Sequence, residues 1–184
     1  MASKFGFGDL KYTVNSGIGL PGKQTRLLGG RLVPVGAFDV DYEDYEYEFG
    51  EVVEVIRDTN NAYIVKPVNE ETTEDSLLAV LMADNAAGTH VEERLIRKGR
   101  RNNALSLYVL IKDNHGAISV PFGDEDAEIG DEVGVGTGQE GTIQGAVYLA
   151  ETAGTIKIKD FYIKGKPSTP TVTDAKAVSI GGLL

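Results

Sequence analysis

The sequence predicts a mainly β protein: a small β-barrel or β-sandwich with one short helix and extended N- and C-terminal arms. Three observations lead there. Apolar and polar residues alternate at period two in several runs, as where Ile156, Ile158, Phe161 and Ile163 stand among Lys157, Lys159 and Asp160; such alternation puts every second side chain on one face of a sheet. The runs are rich in β-branched residues and separated by Gly, Asn and Asp clusters, which favour turns. The one capped helical signal is short.

Composition bounds the rest. At 184 residues the chain can bury one ordinary core and carry arms, but is short for two full domains. It has no cysteine, which excludes disulfides, thiolate zinc sites and cysteine nucleophiles. A formal charge of −10 disfavours a general nucleic-acid or anionic-membrane surface. The first residues carry charge early and lack an apolar core, and no apolar run is long enough to cross a bilayer. A soluble protein made inside the cell is expected.

Residues 1–35 are glycine-rich with few large apolar side chains, so they are expected to form an N-terminal arm. If the arm orders against a neighbouring subunit, Phe5, Phe7, Tyr12, Leu27 and Leu28 would anchor it. The β-domain is placed at 36–164. Its first segment, 39–49, reads as an acidic strand with Tyr45, Tyr47 and Phe49 on one face and a one-residue phase slip at Asp44, the mark of a bulge. Its carboxylates invite a calcium reading, but an extended strand spreads alternate side chains about 7 Å apart. A solvated or partner-facing acidic strand fits better.

Glu51–Arg57 and Ala62–Val68 form a predicted hairpin about Asp58–Asn61. The apolar run Ser76–Ala83 suits a buried strand or a buried helix, and its β surroundings favour strand. Thr89 followed by Glu92 suggests a capping box for a two-turn helix over His90–Lys98, with a strand leading into Ala104–Ile111 as the alternative. Leu105–Lys112 is a strand. Then come Ala117–Phe122, an acidic turn, a short strand about Gly130–Val133, a glycine-rich turn, and strands about Ala146–Leu149 and Thr155–Ile163, the last with a change of phase near Asp160. Pro167 and Pro170 mark 165–184 as a C-terminal tail or edge.

Arg94, Arg97, Lys98, Arg100 and Arg101 make a basic patch with no interleaved aromatic residue, so acidic protein surface is a better partner than nucleic acid. Residues 39–54 and 124–132 supply such a surface in the same chain, which suggests contacts between copies. His90 and His115 lack a nearby nucleophile motif, no cofactor or metal site is marked, and no enzyme is expected.

The order of elements carries a resemblance. Gly130-Asp131-Glu132-Val133 after an acidic loop, a glycine-rich turn, Gly145-Ala146-Val147-Tyr148, and a closing strand after Ala153-Gly154 are similar in pattern to the capsid cement or decoration proteins of tailed bacteriophages, small β-barrel virion proteins. The likeness covers about residues 60–163. It implies a non-enzymatic protein on the capsid surface of the virion that binds the major capsid protein lattice and stabilises the head, as a homotrimer. Phe5, Phe7 and Tyr12 would be its apolar contacts, and Arg97, Arg100 and Arg101 its charged rim. Alternatives are a tail or head-fibre part, a calcium-binding β-module, or a lipoyl or biotinyl carrier, for which Asp174-Ala175-Lys176-Ala177 invites comparison.

Overall fold

A computed structural model describes residues 4–5, 22, 24–26, 32–82, 105–111, 116–168 and 176–182. Twelve strands follow in order: β1 (Gln24–Arg26), β2 (Leu32–Pro34), β3 (Ala37–Phe38), β4 (Val52–Arg57), β5 (Tyr63–Pro67), β6 (Leu78–Leu81), β7 (Ser106–Val109), β8 (Ala117–Phe122), β9 (Glu132–Gly136), β10 (Val147–Leu149), β11 (Thr155–Ser168) and β12 (Lys176–Gly182). The protein is mainly β, and the helical element among the described residues is a single 3-10 turn, Val40–Tyr42.

One sheet runs β1-β8-β10-β9-β11-β12, and β12 returns to pair with β8, so five strands close into a barrel with β1 added outside. Its pairings are antiparallel except β8 with β10, which meet in parallel at Phe122 and Val147. The second sheet runs β2-β7-β6-β4-β5-β3. Its two edges, β2 and β3, belong to one run of chain, 32–38. The Val35 N–H donates to the Leu105 carbonyl at 3.0 Å on one side, and the Gly36 N–H to the Tyr63 carbonyl at 2.9 Å on the other.

Two apolar clusters follow from strand alternation. Ala79 and Leu81 of β6 join Val53, Val55, Leu107 and Val109 on one face of the second sheet. Leu78 and Val80 point the other way, with Val52, Tyr108 and Leu110, and merge with the barrel core of Val120, Val133, Ile163, Val178 and Ile180. Both faces of β6 are therefore covered, which is why its sequence is an unbroken apolar run rather than an alternating one. Each buried valine, leucine or isoleucine contributes about 1.5–3 kcal/mol. One backbone and one side-chain donor seal the seam between the sheets: the Val52 N–H donates to the Gly145 carbonyl at 2.9 Å and the Gln144 side-chain Nε2 to the Val68 carbonyl at 2.6 Å. Gly145 sits at φ +80°, and a Cβ there would meet the Val52 carbonyl at 3.0 Å, so this contact requires glycine.

The hairpin β4–β5 forms about Asp58, whose carboxylate accepts the N–H groups of Asn60 at 2.8 Å and Ala62 at 2.7 Å. The phase change near Asp160 is a bulge: Lys157 pairs with Gly134 but Tyr162 with Glu132, and Asp160 takes φ 60° between them.

Two expectations are corrected. Segment 39–49 is not a bulged strand. Asp39 turns its side chain onto the Asp41 N–H at 3.1 Å and opens the 3-10 turn, a local bond that displaces ladder pairing. Tyr47 then packs on Phe38 and Tyr45, with ring centroids 4.5 and 4.7 Å apart, and covers the far core. The stretch assigned to a C-terminal tail carries β12, the strand that closes the barrel from Lys176 opposite Phe122 to Gly181 opposite Ala117. Ala177, Val178 and Ile180 are buried; the two prolines precede this strand, so their cue does not reach it. The helix expected over 90–98 lies outside the described residues.

Candidate functional site

Of the residues expected at an interface, Phe5 is described; Phe7, Tyr12, Leu27, Leu28, Arg94, Arg97, Lys98, Arg100 and Arg101 lie outside the described residues, as do His90 and His115. Phe5 is 6% exposed and packs with Ala146, Tyr148 and Ala177 on its own chain, so the start of the arm docks on the barrel. The neighbouring Lys4 explains how it is held there. Its ammonium pairs with the Glu51 carboxylate, donates to the Tyr45 hydroxyl at 2.7 Å and to the Glu46 carbonyl at 3.3 Å, and lies 4.4 Å from the Tyr45 ring centroid.

Glu51 is fully buried at the start of β4, where it also accepts the Glu48 N–H at 2.8 Å. Burial pushes its carboxyl from the ordinary 4.5 up to about 7, against the opposing pull of Lys4 and the Glu48 N–H. Burial, followed by the Glu51 charge, holds the Tyr45 hydroxyl protonated well above its usual range. Sequence reasoning placed the carboxylates of 39–54 on an acidic surface. The structure divides them: Asp41, Glu43, Asp44 and Glu46 are exposed, whereas Glu48, Glu51 and Glu54 face inward. Glu54 accepts the Thr72 hydroxyl at 2.6 Å and lies 3.3 Å from the Lys66 ammonium.

The glycine-rich turn is held by hydroxyls. Thr137 and Thr142 both donate to the Gly154 carbonyl, at 2.9 and 3.2 Å, and the Tyr148 hydroxyl accepts the Ile143 N–H at 2.7 Å. The adjacent Asp124 accepts the Leu149 N–H at 2.7 Å and the Thr152 hydroxyl at 2.9 Å. These polar groups fix loops against strands, and no group of three metal-ligating side chains is assembled among the described residues. Lys176 opens barrel strand β12 opposite Phe122 of β8 rather than lying in a tail.

No protein-family model and no curated protein matches the chain. A solved structure, the capsid of Myoviridae phage XM1, holds a chain similar to it at 11% identity with a TM-score of 0.60; the match covers 94% of this chain and 95% of that one. The likeness is one of fold. It extends across both sheets and beyond the 60–163 region to which the sequence resemblance was confined.

Proposed function

We propose that the chain is a non-enzymatic virion structural protein that binds the assembled capsid lattice and stabilises the head, a cement or decoration protein. The observation that carries this reading is the near end-to-end match in fold, in both directions, to a chain of a phage capsid. A head position is favoured over a tail or fibre because that neighbour comes from a capsid. A protein that binds only the assembled shell stabilises it by mass action.

In this reading the partner is the major capsid protein lattice, the protein works as a homotrimer on the capsid surface, and Phe7, Tyr12, Arg97, Arg100 and Arg101 contribute to the contact. The exposed acidic side chains of 41–46 offer Arg97, Arg100 and Arg101 a complementary surface on a neighbouring copy. The test is the protein composition of purified particles, scaled to the major shell protein. A copy number equal to the shell protein or a simple fraction of it is expected, together with heads that lose heat resistance when the protein is stripped and regain it on re-addition. A few copies per particle, or none, overturns the reading.

A further inference from the structure

We infer an internal duplication: the described strands within 32–111 and those within 117–182 are two copies of one five-stranded closed barrel. The first copy is made by the run 32–38 and then β4, β5, β6 and β7; the second by β8, β9, β10, β11 and β12. Numbered by their order in the chain, the strands of each copy meet in the same spatial sequence, first, fifth, fourth, second, third, and back to the first. In both, four pairings are antiparallel, and the first strand meets the third in parallel.

Strand order alone recurs among unrelated small barrels, so register decides. With Pro34 set against Pro121, the pair Val33 and Leu107 corresponds to Val120 and Val178. Two residues along, Val109 and Ala79 correspond to Ile180 and Ile163. One further step gives Leu78 and Glu54 against Tyr162 and Glu132, and the next gives Val55 and Val65 against Val133 and Leu149. The circuit closes where it began: the Gly36 N–H on the Tyr63 carbonyl corresponds to the Gly123 N–H on the Val147 carbonyl, both 2.9 Å. The four antiparallel pairings match in register at these positions, and the fifth matches at the Gly36 and Gly123 hydrogen bonds; the second copy adds bulges in β11 between Lys157 and Tyr162 and between Ile163 and Gly165, and in the first copy β3 continues along β5 one residue out of step with the β8–β10 contact. A slip of one residue at the matched positions would have turned inward side chains outward. Instead Val33, Val55, Ala79, Leu107 and Val109, all buried, fall on Val120, Val133, Ile163, Val178 and Ile180, all buried.

The crossing point shows why one local sequence occurs twice. The first strand must leave its antiparallel partner and reach its parallel one, so its backbone passes close to the third strand. Residues 33–36 read Val-Pro-Val-Gly and 120–123 read Val-Pro-Phe-Gly. A Cβ on Gly36 would lie 3.0 Å from the Tyr63 carbonyl, and one on Gly123 would lie 2.1 Å from the Tyr148 ring. The copies differ on their outer faces. Leu78, Tyr108 and Leu110 of the first join the core cluster of the second; their counterparts are Tyr162, Ser179 and Gly181. Packing between the copies is therefore heterologous, the outer face of the first set on the second, and that apolar face is not repeated.

The absence of cysteine makes disulfide trapping a clean test. Pro34 opposes Ser106, and Pro121 opposes Ala177. Proline has no N–H, so both are non-hydrogen-bonded pairs with Cα atoms about 4.5 Å apart, within disulfide reach. In the full chain, Pro34→Cys with Ser106→Cys and Pro121→Cys with Ala177→Cys should each lose the mass of two hydrogens on mild oxidation. The pairs offset by two residues, Leu32→Cys with Ser106→Cys and Ser119→Cys with Ala177→Cys, should not. Closure of one barrel in register and the other through its offset pair, or failure of either in-register pair in a folded variant, overturns the duplication. Amide exchange of the unsubstituted protein gives an independent reading. The Gly36 and Gly123 N–H groups should both be protected, and rapid exchange at Gly36 beside protection at Gly123 would overturn it equally.

Discussion

Glu51 shows what a single buried charge does here. Its carboxyl is raised to about 7 in the folded chain from an ordinary 4.5. The folded state therefore holds a proton that the unfolded state releases between these values, and this group's contribution to stability is lost as pH rises through that window. The shift corresponds to a loss on the order of 3 kcal/mol. Urea unfolding followed across the window should show the decline in the parent and a flatter profile in Glu51→Gln; equal profiles would dismiss the effect. Lys4→Ala removes the cation that opposes the shift and should carry the decline to higher pH. Gly123 is a second point of constraint. Adding a methyl group would drive into the Tyr148 ring, which cannot retreat without breaking the 2.7 Å bond from the Ile143 N–H. Gly123→Ala should cost about 1–3 kcal/mol in the parent. In a Tyr148→Ala background the added cost should nearly vanish, and a double-mutant cycle on urea midpoints reads the coupling.

Elements were legible where a local cue and the tertiary role agree. The turn formers of Asp58–Asn61, the β-branched runs of β4 and β5, and the phase slip at Asp160 each reflect a local backbone fact, and all appear in the structure. Segment 39–49 misled because alternating aromatics satisfy a strand pattern, yet Tyr45 and Tyr47 reach the far core from a turn. Lys4 and Glu51 could not be paired from sequence, since 47 residues separate them and nothing local marks their meeting. The barrel-closing strand β12 was hidden by its small residues and by the prolines before it. Its pairing predicts that removing residues 176–184 leaves β8 and β11 without their shared neighbour and exposes the core around Val178 and Ile180. The truncated chain should fail to fold, with loss of the near-ultraviolet dichroism and of the melting transition. A dispensable tail would leave the transition within a few degrees of the parent.

At the scale of the whole molecule, the expectation of one core and the finding of two barrels are reconciled by the seam. The Val-Pro-x-Gly repeat was present in the sequence, but four residues carry too little pattern to announce a duplicated fold without the pairings. Each barrel has its own interior, yet Val52, Leu78, Val80 and Tyr108 on strands of the first, with Leu110 just after β7, belong to the cluster of the second barrel. Opening either barrel therefore exposes apolar area that the other needs covered, and the two should unfold together. Calorimetry of the parent should give one peak with a van't Hoff enthalpy close to the calorimetric one. Val80 lets the seam be attacked separately, because strand alternation turns it away from the first interior, which Ala79 and Leu81 fill. Val80→Asp places an unpaired charge in the seam, against the cluster of the second barrel, while leaving the first interior intact, a cost of several kcal/mol. The expected result is a split or broadened peak whose enthalpy ratio departs from one. If the parent already shows two separate peaks, the barrels are independent and the seam does not couple them; if Val80→Asp lowers a single peak without broadening it, the barrels depend on each other through contacts other than this face.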